Sequence, residues 1–122
     1  MWHVEYLQEE EVILIATSGT MDLGQIRQMA AAALAEEAKR KVSRFLTEHK
    51  DVAPLFPVVE LYYLPDVLER FGFKHHHKVA VVNATSPKLE GDLKFFETVA
   101  FNRGFDVRVF SERAGALRWL HQ

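Results

Sequence analysis

Residues 78–120 constrain the fold more than any other stretch, because they alternate between two hydrophobic periods. Lys78-Val79-Ala80-Val81-Val82-Asn83 is a short apolar run rich in β-branched side chains, which suits a buried strand of a parallel sheet. Residues 88–103 carry helical spacing, with Leu89, Leu93, Phe96, Val99 and Ala100 on one stripe, and Gly104 supplies the stop. Val107-Arg108-Val109-Phe110 reads as a second strand. Ser111 then opens a last helix that ends in Ala116-Leu117-Arg118-Trp119-Leu120. Helices between successive strands imply parallel pairing and right-handed crossovers.

The upstream part extends the pattern. Residues 2–7 and 11–17 read as strands joined by Gln8-Glu9-Glu10, a hairpin-like length. The second of these, with Val12-Ile13-Leu14-Ile15-Ala16, is apolar on both faces and belongs inside the sheet, whereas the first alternates as an edge strand does. Asp22 followed by Gln25 resembles a capping box, and a helix is expected to run to about Arg40. Leu23, Ile26, Ala30, Ala33, Leu34 and Ala38 form its apolar face. Residues 42–49 read as the next strand. The stretch 52–73 is rich in apolar and aromatic residues but broken by Pro54, Pro57 and Pro65. A helical turn is expected near 58–63, with a helix starting at Pro65 and ending before Gly72. The element order is β-β-α-β-α-β-α-β-α, with the first strand antiparallel to the second.

Composition narrows the function classes. With 122 residues, one domain over 1–122 is expected. The net charge is −2 and the charged residues are interspersed, so no basic stripe points to a nucleic-acid partner. There is no cysteine, which excludes disulfides, thiolate metal sites and cysteine nucleophiles, and fits a reducing compartment. The start, Met1-Trp2-His3-Val4-Glu5, lacks the basic and apolar regions of a signal peptide, and no apolar run is long enough to span a bilayer. A cytoplasmic protein is expected.

The element order, the Lys78-Val79-Ala80-Val81-Val82 strand, the passage Phe96…Ala100…Arg103-Gly104-Phe105-Asp106-Val107-Arg108-Val109-Phe110 and the closing Ala116-Leu117-Arg118-Trp119-Leu120 resemble the SpoIIAA-like branch of the STAS superfamily. Leu61-Tyr62 and Leu64-Pro65 resemble that branch's middle helix. The likeness implies a (βα) superhelix, a mixed, mainly parallel five-stranded sheet with consecutive strands side by side and helices mainly on one face. Its motifs are packing motifs and speak to fold more than to chemistry. Members that antagonise anti-sigma factors carry a phosphorylated serine at the start of the helix after the strand matching 42–49. Here that position reads His49-Lys50-Asp51-Val52-Ala53-Pro54, without Ser or Thr, so the phosphoswitch is not expected. Other members of the branch are compared with lipid carriers that hold an apolar ligand under a mobile helix.

Candidate chemistry is sparse. His75, His76 and His77 offer imidazoles to a metal ion, but adjacent extended residues point alternately up and down and no acid close in sequence completes a set. A solvated, dispensable loop is the expectation, with no metal and no cofactor. His49, Asp51 and Asn83 fall at strand carboxyl ends, where ligands gather in open α/β sheets. His49 with neighbouring Glu48 and Asp51 could form an acid–base pair, but a polar loop cap is favoured because no nucleophile in a recognisable context accompanies it. Thr17-Ser18-Gly19-Thr20 lacks the second glycine and lysine of a phosphate loop and reads as a plain turn. Phe101 falls outside its helix's core stripe; it either packs on the last helix or lies exposed at a subunit contact.

Phe56, Leu61, Tyr62, Tyr63, Leu64, Phe71 and Phe73 are too many for two short, proline-broken helices to bury on one side. They are the candidates for a groove or lid, against the alternative of plain core under an irregular connection. The expectation is therefore a non-catalytic binding module, taking an apolar or amphipathic small molecule or lipid, with contact at a membrane surface and a homodimer left open. A regulatory protein–protein module without the phosphorylatable serine is the alternative.

Overall fold

The computed structural model of the chain describes residues 1–19, 22–50, 66, 69–70, 72–83 and 87–122, with backbone alone at 23, 50, 83, 87–90 and 92–93. The described elements are β1 (Trp2–Leu7), β2 (Val12–Ser18), α1 (Leu23–Arg40), β3 (Arg44–Lys50), β4 (Lys78–Asn83), α2 (Pro87–Asn102), β5 (Asp106–Phe110) and α3 (Arg113–Leu120). This is an α/β fold with a five-stranded mixed sheet in the order β1-β2-β3-β4-β5. β1 runs antiparallel to β2, and the pairs β2–β3, β3–β4 and β4–β5 are parallel.

Local chemistry sets the boundaries. Glu11 has φ +56°, and its N–H donates to Leu7 O at 2.8 Å, so the hairpin loop includes Glu11 and β2 starts with the apolar run at Val12, one residue later than expected. Arg44 holds this corner by donating from Nε and Nη2 to Glu11 O at 3.2 and 3.0 Å. α1 opens on the expected capping box: Gln25 N–H donates to Asp22 Oδ1 at 2.8 Å and Asp22 N–H to Gln25 Oε1 at 3.0 Å. It closes at Lys41, whose left-handed backbone (φ +57°) ends the helix and delays β3 to Arg44. α2 ends in a Schellman motif at Gly104 (φ +85°): Phe105 N–H donates to Ala100 O at 2.9 Å and Gly104 N–H to Phe101 O at 3.0 Å.

The two-residue period of the strands sorts the core by face. Ile13, Ile15 and Phe45 pack with Ala30 and Ala33 of α1 and with Phe73, and Val81 and Val107 pack with Phe96 and Ala100 of α2. Val12, Leu14, Leu46, Ala80 and Val82 face the other way and are covered by Ala116, Trp119 and Leu120 of α3. Both described crossover helices therefore share a face, as successive right-handed crossovers in one direction require. α3 follows the last strand, has no crossover to make, and closes the opposite face. Coverage on both sides explains why Val12, Ile13 and Leu46 are wholly buried. Phe101 is 76% exposed, so it does not pack on α3.

Candidate functional site

The parallel strands deliver their last residues to one edge. Thr17 is the register partner of His49, and His49 that of Asn83. Thr17 continues the row Ile13, Ile15, and His49 the row Phe45, Thr47, so both lie on the side of the sheet that bears α1. The side chains meet: Thr17 Oγ1 is hydrogen-bonded to His49 Nδ1. Both are buried, and Thr17 Oγ1 also lies 3.5 Å from Glu48 O. No described residue bonds His49 Nε2.

Burial pushes the His49 imidazole down to about 4. The ring is neutral at pH 7, and its proton affinity is too low for an effective general base there. Its usefulness lies in hydrogen bonding. If the Thr17 hydroxyl donates to Nδ1, the ring proton sits on Nε2; if Nδ1–H donates to the hydroxyl, Nε2 keeps a lone pair. A neutral His–Thr pair can thus present a donor or an acceptor at Nε2.

Of the two acids considered beside His49, Glu48 does not join it. Glu48 alternates to the α3 side, where Arg113 grips it through two bonds, Nε to Oε2 and Nη2 to Oε1, both 2.6 Å. Asp51 lies outside the described residues, and Asn83 is placed by its backbone alone. Ser18 N–H is not open to an anion, since it already donates to Met1 O at 2.8 Å, while Ser18 O accepts from the Met1 amine at 2.6 Å. Phe56, Leu61, Tyr62, Tyr63, Leu64 and Phe71 also lie outside the described residues. Phe73 does not: it is 7% exposed and meets Phe45 edge-on with centroids 5.3 Å apart, which makes it a packing residue under α1. Asp66, from the same stretch, is paired with Arg103 at the end of α2.

The histidine triplet needs a correction. His75 and His76 are exposed, as a solvated loop requires, but His77 is only 3% exposed. Its Nδ1 accepts the Lys74 N–H at 2.8 Å and its Nε2–H donates to Glu37 Oε2, which also accepts from Ser43 Oγ at 3.2 Å. Phe45 and Phe73 stand edge-on to the ring, at centroid distances of 5.3 and 5.7 Å. Burial lowers the His77 pKa, with the Glu37 carboxylate pulling against it. Glu37 also supplies the acid that is missing nearby in sequence: its oxygen and one nitrogen each of His76 and His77 lie within 4.8 Å of one another. That is close enough for one ion. Yet an Nδ1 that accepts a backbone N–H leaves the ring proton on Nε2, the atom an ion would have to take. The network as built is a clamp tying α1 to the turn before β4.

Sequence reasoning missed Glu37 and took Thr17 only as part of a plain turn. Thr17 is a polar residue next to the end of an otherwise apolar strand. Glu37 stands on the core stripe of α1, spaced from Ile26, Ala30 and Ala33 by helical steps. None of the described helices is long and apolar enough to cross a membrane. No protein-family model matches the chain, and no curated protein is similar to it.

Proposed function

We propose that the chain is a non-catalytic binding module with a SpoIIAA/STAS-like arrangement, which holds an apolar or amphipathic small molecule or lipid at the carboxyl edge of its parallel strands. The observation that carries this reading is the buried, neutral His49, bonded by Thr17 and without a described partner at Nε2. Such a floor hydrogen-bonds an uncharged polar head, such as a hydroxyl, an ester or a protonated carboxyl, and the low dielectric that neutralises the ring disfavours an ionic one. Ligands of open α/β sheets gather at this edge. The consecutive strand order, with α1 and α2 on one face, is in keeping with the arrangement. Phe56, Leu61, Tyr62, Tyr63, Leu64 and Phe71 are the sequence's candidates for contact with the tail, and a membrane surface is one source of such a ligand.

The test is native mass spectrometry of the purified protein, followed by 15N NMR of histidine-labelled protein titrated with oleic acid and with phosphatidylcholine vesicles. A retained small molecule, or movement of the His49 ring nitrogens while those of His77 stay still, is the expected result. No retained mass and no movement of His49 in either titration overturns the reading. A response to vesicles alone assigns the contact to the membrane surface.

A further inference from the structure

Among the described residues, no strand pairs with the outer edge of β1. In an antiparallel ladder, alternate residues exchange both backbone bonds with the neighbouring strand, and the residues between them point their N–H and C=O outward. Met1 and Ser18 exchange both bonds. The alternation then assigns His3 to Ala16, Glu5 to Leu14 and Leu7 to Val12 as the bonded pairs. Trp2, Val4 and Tyr6 are left with their backbone groups directed away from β2. β1 ends the sheet, and no described residue bonds those groups.

The other edge differs. On β5 the Val109 N–H is already taken by Glu97 Oε2 of α2 at 2.6 Å. A side chain that occupies an outward N–H protects an edge from strand addition. β1 carries no such guard, and it has no proline, lysine or bulge.

We propose that β1 forms an antiparallel pair with β1 of a second copy of this chain, about a two-fold axis at Val4, so that the two sheets become one. In that register Val4 faces Val4, Trp2 faces Tyr6 of the second copy, and His3 faces Glu5 of the second copy. Trp2, Val4 and Tyr6 each gain both of their missing backbone bonds. The aromatic pair falls on the face where Arg40 already lies 4.9 Å from the centre of the Tyr6 ring. The His3–Glu5 pair falls on the opposite face, where the two side chains are exposed and 3.6 Å apart within one chain. Neighbouring registers fail. Centring on His3 sets His3 against His3 and leaves the outward groups of Tyr6 unpaired, and centring on Glu5 sets two carboxylates against each other and leaves those of Trp2 unpaired. Centring on Trp2 or on Tyr6 leaves outward groups unpaired.

A strand pair of this length buries less than the roughly 1,600 Å² of a standard interface, so dissociation in the micromolar to millimolar range is expected. Sedimentation velocity over a dilution series reads it. Val4→Pro removes an outward N–H that β2 does not use, and the monomer keeps its ladder. It is expected to raise the dissociation constant at least about tenfold. Glu5→Lys takes away the carboxylate that faces the His3 ring across the seam and puts an ammonium in its place, and is expected to weaken pairing several-fold, about threefold to tenfold. Adding His3→Glu to Glu5→Lys restores opposite charges and is expected to return it to within about threefold of the parent. Circular dichroism shows that the variants remain folded. A parent chain that stays monomeric at about 1 mM overturns the proposal. So does a dimer that Val4→Pro and Glu5→Lys leave unchanged, since it would use another face.

Discussion

Two buried histidines sit at opposite ends of the sheet and show two ways of burying a neutral imidazole. His77 lies before the amino end of β4 and has both nitrogens engaged, one with the Lys74 N–H and one with Glu37. His49 lies at the carboxyl end of β3 and, among the described residues, is bonded at one nitrogen, by the Thr17 hydroxyl. A fully satisfied polar group in a packed site adds rigidity and offers nothing to a ligand. A half-satisfied one is tolerated where something else can reach it. The comparison separates architecture from function within a single residue type: His77 belongs to the fold, and His49 to the candidate site.

The largest expected effect breaks the His77 side of this comparison. His77→Ala opens a cavity between Phe45 and Phe73 and strips the Lys74 N–H and Glu37 of a partner. Lost packing and unpaired buried groups together should cost about 3 kcal/mol. For a domain of this size that is a fall in Tm of roughly 10 °C. Urea unfolding at pH 7.5 measures it. A change within about 0.5 kcal/mol, as for a surface site, would mean that the clamp does not form. Glu37→Gln keeps an acceptor for Nε2–H and removes the carboxylate that raises the His77 pKa, so that pKa should fall further.

Acid breaks both histidines, and His49 gives the next largest effect. Its folded pKa, about 4, lies below the unfolded value of 6.5. The folded state therefore prefers the neutral ring, and the associated stability is fully present above pH 6.5. It is lost as pH falls from 6.5 towards 4, to a limit of about 3 kcal/mol. His77 is lowered too and contributes with the same sign. His49→Phe removes the His49 share, so a plot of unfolding free energy against pH should be flatter over this window in the variant. Parallel curves would show that His49 titrates as it does in the unfolded chain.

Much of the fold was legible because local and global signals agree. The β4 run, the Gly104 stop and the Asp22–Gln25 box each fix one element from short-range chemistry. The candidate site was legible only in part. Strand ends pointed to His49, but its partner Thr17 lies on another strand, and pairing across β2 and β3 depends on a register that neither strand encodes alone. The histidine triplet misled for a related reason. Three adjacent histidines look solvated, and the one that turns inward is selected by Glu37, remote in sequence. Position on the α1 core stripe was the available signal: a charge there needs a buried partner, and His77 is the one it finds. The α3 face was illegible because a helix after the last strand has no crossover to dictate its side.

The smallest expected effect sharpens the comparison within the triplet. His76 is exposed, and its Nε2 lies 3.9 Å from Glu37 Oε2, a contact that water screens. His75 stands edge-on to Phe105 with centroids 4.7 Å apart and is also exposed. Replacing each with Ser should change stability by no more than about 0.5 kcal/mol, in contrast to His77. His76→Ser should still leave a trace in the clamp. Burial is the main reason the His77 pKa is low, and the nearby His76 charge adds to the lowering. Without His76 the His77 ring should titrate at slightly higher pH, read from the ring proton shifts of labelled protein. A His76→Ser variant that loses as much stability as His77→Ala would show that the triplet acts as a unit, and the division into one structural and two surface histidines would fall.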